Sequence, residues 1–318
     1  MNRAILAIVT LMGALAVSSS RAEWRRDHTS LAWTRGGHVL WAFSFDPRHG
    51  KPHFATLAPG GANLVEVRPA DHVWHYGLWF SWKFIDGVNY WEETGPEQRA
   101  EGATRWQPPA IETDDSGNAT LRLELTYVDP TGRAVLTERR VIRVAAPQAD
   151  GSFAIDWAAQ FVVGSSAVVL DRTPMPGEAG GQVNGGYGGL GFRALPAPVA
   201  LTLLTPEGVV GRFERDRARP QSAALACNLT AGEKTLGGVA ILNFAPGADV
   251  AAAIPWYVVN TPKMRFTCAA LLAPKPITLG AGATLDLHYR ILARPGAWTP
   301  ESLCAAVKAQ SERAGCLR

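Results

Sequence analysis

The sequence predicts an all-β protein: a large antiparallel β-sandwich with one short C-terminal helix. Three observations carry that expectation. Short runs rich in Val, Leu, Phe, Trp and Thr alternate with turn residues from Leu31 onward. Helical periodicity is nearly absent before Thr299. No stretch rich in Pro, Gly or Ser is long enough to separate two domains, so residues 23–318 are expected to form one unit.

Taken in order, His38 to Phe45 is a strand closed by Asp46-Pro47 and His49-Gly50. Ala119 to Val128 alternates with period two, Asp129-Pro130-Thr131-Gly132 turns, and Ala134 to Val144 returns as the second arm of a hairpin. Further strands are expected at Phe153–Val163, Ala167–Leu170, Val199–Leu204, Val209–Glu214, Ala223–Asn228, Thr235–Phe244, Trp256–Asn260, Phe266–Leu272 and Thr284–Ala293. The helix is expected over Thr299 to Gly315. There Thr299 can cap, Pro300 takes the first helical position and Glu301 faces the positive end of the helix dipole. Strands at regular spacing with no helices between them imply antiparallel sheets packed face to face.

Composition narrows the class. The 318 residues are 47% hydrophobic and 19% charged, the balance of an ordinary globular chain rather than a disordered or fibrous one. Arg3 precedes an apolar run from Ala4 to Val17 and small residues before Ala22, the pattern of a secretory leader spanning residues 1–22. Cleavage after Ala22 would release a periplasmic or secreted protein, with no integral membrane segment left. Arg3 and Arg21 are the only charges in that leader, so the rest carries 29 basic against 28 acidic residues. Near-neutral charge excludes a nucleic-acid partner. Cys227, Cys268, Cys304 and Cys316 all lie in the last third of the chain. Export would permit bridges among them; equally, Cys227 and Cys268 fit buried thiols on strands.

Chemistry concentrates between Asp71 and Glu93, which holds two of the seven His and four of the eleven Trp. In a strand after His75, Leu78, Phe80 and Trp82 share one face and Trp79 and Ser81 the other, so the strand is central or lines a pocket. His72 and His75 precede it, where a sheet could present them to a ligand. With Asp71 to orient an imidazole, they are the candidate acid-base groups, and Glu92 and Glu93 are further carboxylates nearby. A divalent metal is the cofactor the histidines would suit, with His53 as third ligand. Trp74, Trp79 and Trp91 would stack on sugar faces, and aromatic walls with a few polar groups suit a carbohydrate ligand.

The second segment, Gly180 to Arg193, contains a formal G-x-G-x-x-G at Gly186–Gly191. Pro196 and Pro198 follow where a dinucleotide fold needs a helix, so the glycines mark close backbone approach instead, with Tyr187 and Arg193 projecting toward ligand. Asp114 to Asn118 lacks the later acidic ligand of a calcium loop and fits a hairpin turn.

The runs Lys51-Pro52-His53-Phe54, Pro69 to Phe80, Asn89-Tyr90-Trp91, Gly185 to Arg193 and Pro255-Trp256-Tyr257-Val258 resemble the secreted bacterial PmoA-like family over most of the chain after the leader. Its usual block Asp-His-Pro-His-His-Arg-Gly-Leu-Trp is matched by Asp71, His72, His75, Gly77, Leu78 and Trp79, while Val73, Trp74 and Tyr76 depart from it. Ala55 and the stretch from Asn243 to Ala253 also depart from that pattern. The family label refers to methane oxygenase, a membrane-embedded copper enzyme, which this chain without spanning segments does not match. The resemblance implies instead a supersandwich similar to galactose mutarotases and polysaccharide lyases. Its implied function is an exported glycosidase, lyase or epimerase acting on an oligosaccharide or modified sugar, or else a non-catalytic carbohydrate-binding or envelope protein.

Overall fold

A computed structural model describes residues 22–244 and 251–315, with side chains described to residue 310. The leader expected over residues 1–22 lies outside the described residues except for Ala22, which opens the first strand. Among the described residues every strand pairing is antiparallel. One sheet runs in the order Ala22–Arg26, Ser30–Arg35, His38–Ser44, His53–Leu57, Leu78–Ser81, Gly189–Arg193, Arg265–Ala269, Ile254–Asn260, Arg217–Ala218. A second runs Gly208–Val209, Ala200–Thr205, Ala224–Ala231, Lys234–Asn243, Thr284–Arg294, Phe153–Val163, Ala134–Val144, Ala119–Val128, Ala103–Trp106, and a small third sheet pairs Ile277–Leu279, Val168–Asp171, Phe84–Ile85 and Val88–Asn89. The sequence expectation of an antiparallel β-sandwich is met.

The two larger sheets face each other across a continuous apolar core. Phe80 and Trp82 of the first sheet meet Phe161 of the second at ring separations of 5.3 and 5.0 Å. Phe43 and Phe54 likewise approach Trp157. Period two is what makes this possible. The strand Phe153–Val163 buries Phe153, Ile155, Trp157, Ala159, Phe161 and Val163 and leaves the alternate positions half-buried.

Turn chemistry sets the register of the long hairpin. Asp129 Oδ1 accepts from the Thr131 backbone N–H at 2.9 Å, and Gly132 supplies φ 89°. Asp114 does the same at the preceding turn, where its carboxylate accepts from the backbone of Ser116, Gly117 and Asn118. The helix occupies Pro300–Gly315, and Thr299 Oγ1 accepts from the Ser302 N–H at 3.2 Å as the expected cap. Leu303 and Trp298 pack on Ala224, Ala240 and Leu242 of the second sheet.

One expectation is corrected. Val209–Glu214 is not one strand: only Gly208–Val209 pairs, and the chain then leaves the sheet for a tight turn at Glu214–Arg217. Of the two readings left open for the cysteines, the buried strand thiol holds for Cys227 and Cys268, whose pKa values burial pushes up to about 12; Cys304 is free among the described residues, and Cys316 lies outside them.

The glycine-rich segment enters the first sheet because side chains would not fit. A Cβ on Gly189, at φ 133°, would lie 2.3 Å from the Ala269 carbonyl oxygen, and one on Gly185 only 1.9 Å from that of Pro174. Gly189→Ala is therefore expected to lower unfolding free energy by about 2 kcal/mol or more. Gly280→Ala, in open space, should change it by less than about 0.5 kcal/mol. Urea titration of both variants checks the difference, and equal midpoints would refute the steric account.

Candidate functional site

The histidine loop is closed by its own short ladder. The Gly77 N–H donates to the Glu66 carbonyl at 3.0 Å and the Arg68 N–H to that of His75 at 2.7 Å, with Val67 bridged to Tyr76. Two turns follow one another inside it, from the His72 N–H to the Pro69 carbonyl and from the His75 N–H to that of His72. Gly77 ends the excursion at φ 71°, where a Cβ would sit 2.4 Å from the Phe54 carbonyl oxygen. The chain then enters Leu78–Ser81 with the predicted alternation: Leu78, Phe80 and Trp82 join the inter-sheet core, and Trp79 joins a second cluster on the outer face.

Arg193 anchors this loop from below. Its guanidinium has no exposed surface, and it meets Glu66 at 3.0 Å, both oxygens of Asp71 at 3.2 and 3.3 Å, and the Lys263 carbonyl at 2.9 Å. It also lies 3.3 Å from His75 Nδ1. Arginine can only donate, so Nδ1 of His75 is the acceptor and its proton resides on Nε2. Burial, with His72 and the cations Arg193 and Lys51 adding to it, holds the His75 pKa far below the ordinary histidine value, so this ring is neutral.

Asp71 is shared between Arg193 and His72. Its Oδ2 stands 3.0 Å from His72 Nδ1, off the axis of a straight hydrogen bond, so the contact is mainly electrostatic. Burial alone would raise the Asp71 carboxyl, but the contact with His72 and the charge of Arg193 outweigh it and bring it below its ordinary value.

A second loop supplies the opposite wall. Asn89 Oδ1 accepts from the Trp91 and Glu92 backbone N–H groups, an Asx turn that presents Trp91 and Glu92 together. Glu92 then accepts from Asn89 Nδ2 at 2.6 Å, from Lys83 and from the Tyr187 hydroxyl. Burial would raise Glu92, yet Lys83, Tyr187 and Asn89 outweigh it, and the group is ionised. Tyr187 is pushed up by burial and by the Glu92 charge, so its hydroxyl stays protonated.

These elements enclose a pocket of about 210 Å³ on the outer face of the first sheet. His72, His75 and Glu92 line it near Trp91, Tyr257 and Phe266, with Tyr187 and Arg217 also at its wall. A larger cleft of about 460 Å³ runs from Thr205 to Pro220 and shares Arg217 with the pocket, but it contains none of the His–Asp chemistry.

Of the sequence candidates, His72, His75, Trp74, Trp91 and Tyr187 meet at this pocket, with Asp71 immediately behind. Three assignments are corrected. Trp79 is fully buried beneath His75, at 5.1 Å between rings, and offers no surface for a ligand to stack on. Arg193 is enclosed by Glu66, Asp71 and His75, so it positions the loop rather than projecting toward ligand. His53 does not join the other two histidines. Its ring packs on Tyr76 and His49 and its Nδ1–H donates to the Lys51 carbonyl at 2.8 Å. Among the described residues no three His, Cys, Asp or Glu side chains gather as a metal site. Glu93 also turns away, into a buried cluster with Lys51 at 2.6 Å, Arg68 at 2.8 Å and Tyr76 at 2.6 Å.

Sequence reasoning missed Tyr257, Phe266 and Arg217. They come from strands far along the chain that join the sheet beside Gly189–Arg193, a pairing that alternation cannot announce.

Residues 30–308 match the family of unknown function DUF6807. The chain belongs to that family. The match shows this membership, while the methane-oxygenase label remains with the resemblance. No curated protein matches this DUF6807 chain.

Several solved structures are similar in shape. One, from Klebsiella pneumoniae subsp. pneumoniae MGH 78578 and provisionally named an aldose 1-epimerase, has a TM-score of 0.41 and 9% identity over 90% of this chain and 83% of that one. HI1317 gives 0.29 and 9% over 85% and 99%. A TPR-domain containing protein from Parabacteroides distasonis ATCC 8503 gives 0.30 and 11% over 87% of this chain and 48% of that one. At these values the sandwich rests on its own strand order, and no site residue transfers.

Burial of neutral imidazoles has a consequence for stability. His53 is pushed down to about 3 by burial, and His75 is lowered in the same sense. The unfolded chain takes up protons below about pH 6.5 while these folded rings do not. Their contribution is therefore complete above pH 6.5 and diminishes as pH falls toward the folded values, by at most about 1.4 kcal/mol per unit for each ring. The melting temperature should drop between pH 7 and pH 5, and His53→Phe should flatten that slope by roughly one proton's share. An unchanged slope in the variant would contradict the assignment.

Proposed function

We propose that this DUF6807 protein is exported to the periplasm or medium, where it binds a saccharide in the His72–Glu92 pocket and moves a proton on one sugar unit, as epimerases and lyases do. The observation that supports this best is the pairing of aromatic walls with two differently tuned polar groups. Trp74, half-buried, suits the C–H face of a pyranose, the buried rings of Trp91, Tyr257 and Phe266 make the floor apolar, and hydroxyls need the donors and acceptors that Glu92, Tyr187 and His75 Nε2–H provide. At about 210 Å³ the pocket falls below the roughly 300–1,000 Å³ of common ligand sites, which favours one ring rather than a long chain inside it.

His72 is the candidate proton carrier. Asp71 occupies its Nδ1 side and leaves Nε2 for the ligand, and the Asp71 charge stabilises the imidazolium formed after proton uptake. Glu92 already accepts three hydrogen bonds, so it fits a fixed acceptor better than a base. Inverting or retaining glycosidase chemistry fits less well. It uses two carboxylates flanking the bond, whereas Glu92 is the single carboxylate lining this pocket among the described residues. The same saturation of Glu92 favours a second reading, a non-catalytic sugar-binding protein.

His72→Gln separates the two. For an enzyme, turnover should fall by about a hundredfold or more with sugar binding kept within severalfold. The readout is proton exchange at sugar carbons and anomer interconversion in deuterated water, followed by NMR across a panel of neutral, acidic and keto sugars. Binding without exchange in the unmodified protein would leave the binder; no binding across the panel would remove the saccharide reading itself.

A further inference from the structure

Beside the pocket, the cleft from Thr205 to Pro220 is about twice as large and shares one residue with it, Arg217. A tight turn sets that residue. Glu214 and Arg217 exchange backbone hydrogen bonds of 2.8 and 3.0 Å, and Arg215 and Asp216 between them adopt φ of 48° and 64°. Two successive left-handed residues are what a two-residue hairpin turn requires, and here they are not glycines. The strand Arg217–Ala218 then pairs with Val258 and Val259, which carries Arg217 to the pocket rim beside Tyr257.

Most of the other charges of the cleft are committed. Glu207 accepts from the Ser222 hydroxyl at 2.9 Å, and Glu214 lies 3.6 Å from Arg212, both largely in solvent. Arg219 donates to the Val183 and Gly185 carbonyls at 2.8 Å and sits 5.3 Å over the Tyr257 ring. Arg217 differs. Its Nη1 donates to the Arg215 carbonyl at 2.7 Å and its side chain meets the Tyr257 hydroxyl, its Nε, like that of Arg219, is buried without a partner, and among the described residues no carboxylate forms an ion pair with it. A guanidinium carries five donors, so these contacts leave part of its capacity for a group at the junction.

Resting on the saccharide reading above, we infer that the ligand is an anionic oligosaccharide. One unit enters the His72–Glu92 pocket, the chain continues along the Thr205–Pro220 cleft, and Arg217 binds an anionic substituent at the junction. The planar guanidinium fork matches a carboxylate or a sulfate ester in two-point contact, and each carries the single negative charge that one arginine neutralises. Glu92 excludes a purely electrostatic site: it would repel an anion placed deep in the pocket, which directs the substituent to the rim.

The test is calorimetric titration of the full chain with trisaccharides in three forms: uronides, their methyl esters, and sulfated neutral trimers. A panel of backbones is used for each form. The expected result is that one anionic form binds about tenfold or more tighter than its uncharged counterpart, with the uronide and sulfate arms identifying the anion. Arg217→Gln should abolish that preference and Arg217→Lys should keep part of it, with unchanged melting temperatures showing that the turn is intact. Equal binding of charged and uncharged trimers, or a preference that survives Arg217→Gln, overturns the inference while leaving a neutral sugar site standing. Arg217-dependent binding without proton exchange supports the inference and removes the catalytic reading, and absence of all binding overturns both.

Discussion

The guanidinium of Arg193 is buried with no exposed surface, and a charge in that position is tolerable only where its donors are matched by acceptors. Glu66 and Asp71 neutralise it, and the Lys263 carbonyl and His75 Nδ1 take further donors. That requirement draws three separate stretches of chain to one point: the end of Gly189–Arg193, both arms of the histidine loop, and the turn before Arg265–Ala269. The loop would otherwise be an exposed excursion of twelve residues, from 66 to 77, between two strands. Held by Arg193, it has a single geometry, and the tautomer of His75 is decided by the same contact.

The other fixed point lies on the opposite flank of the loop. Tyr76 donates to Glu93, while the Gly50 N–H donates to the Tyr76 hydroxyl at 3.0 Å and Lys51 binds Glu93 at 2.6 Å. Burial lowers Lys51, and the Glu93 charge works against that shift. Successive residues therefore serve opposite purposes. His75 faces the pocket and Tyr76 faces the buried ionic cluster, just as Glu92 faces the pocket and Glu93 the cluster. The site is built at the boundary between an apolar outer face of the sheet and a polar anchor behind the loops.

Much of this was legible in the residues. Period-two burial made the Phe153–Val163 strand and the Ala119–Val144 hairpin readable, because each buries one face and Asp129 to Gly132 states its turn. The crowding of His and Trp between Asp71 and Glu93 marked a stretch that lines a pocket, since so many costly side chains gather only around a core or a cavity. What could not be read was which of them face the ligand. Trp79 and Trp91 look equivalent in sequence, yet one lies under His75 and the other borders the pocket. His53 shares the neighbourhood of the other histidines in sequence, but its strand turns it onto Tyr76. Arg193 looked like a ligand contact because arginine is usually solvated; only the antiparallel pairing of its strand with Leu78–Ser81 shows that it sits beneath the loop.

The pocket divides its labour by how far each group is already committed. Glu92 is ionised and held by three donors, so its position is fixed and little capacity remains for exchanging a proton. His75 is neutral, stacked at 4.7 Å on Phe266 and held by Arg193, and it can offer a hydrogen bond but gains a proton only at great cost. His72 is the exception. Its side chain is about 30% exposed and stands 3.0 Å from Asp71, which also meets Arg193 at 3.2 Å. The pocket therefore combines acceptors and donors fixed by their partners with one imidazole that is less enclosed. Arg193 touches both groups: its charge adds to the burial that lowers His75, and it joins His72 in lowering Asp71.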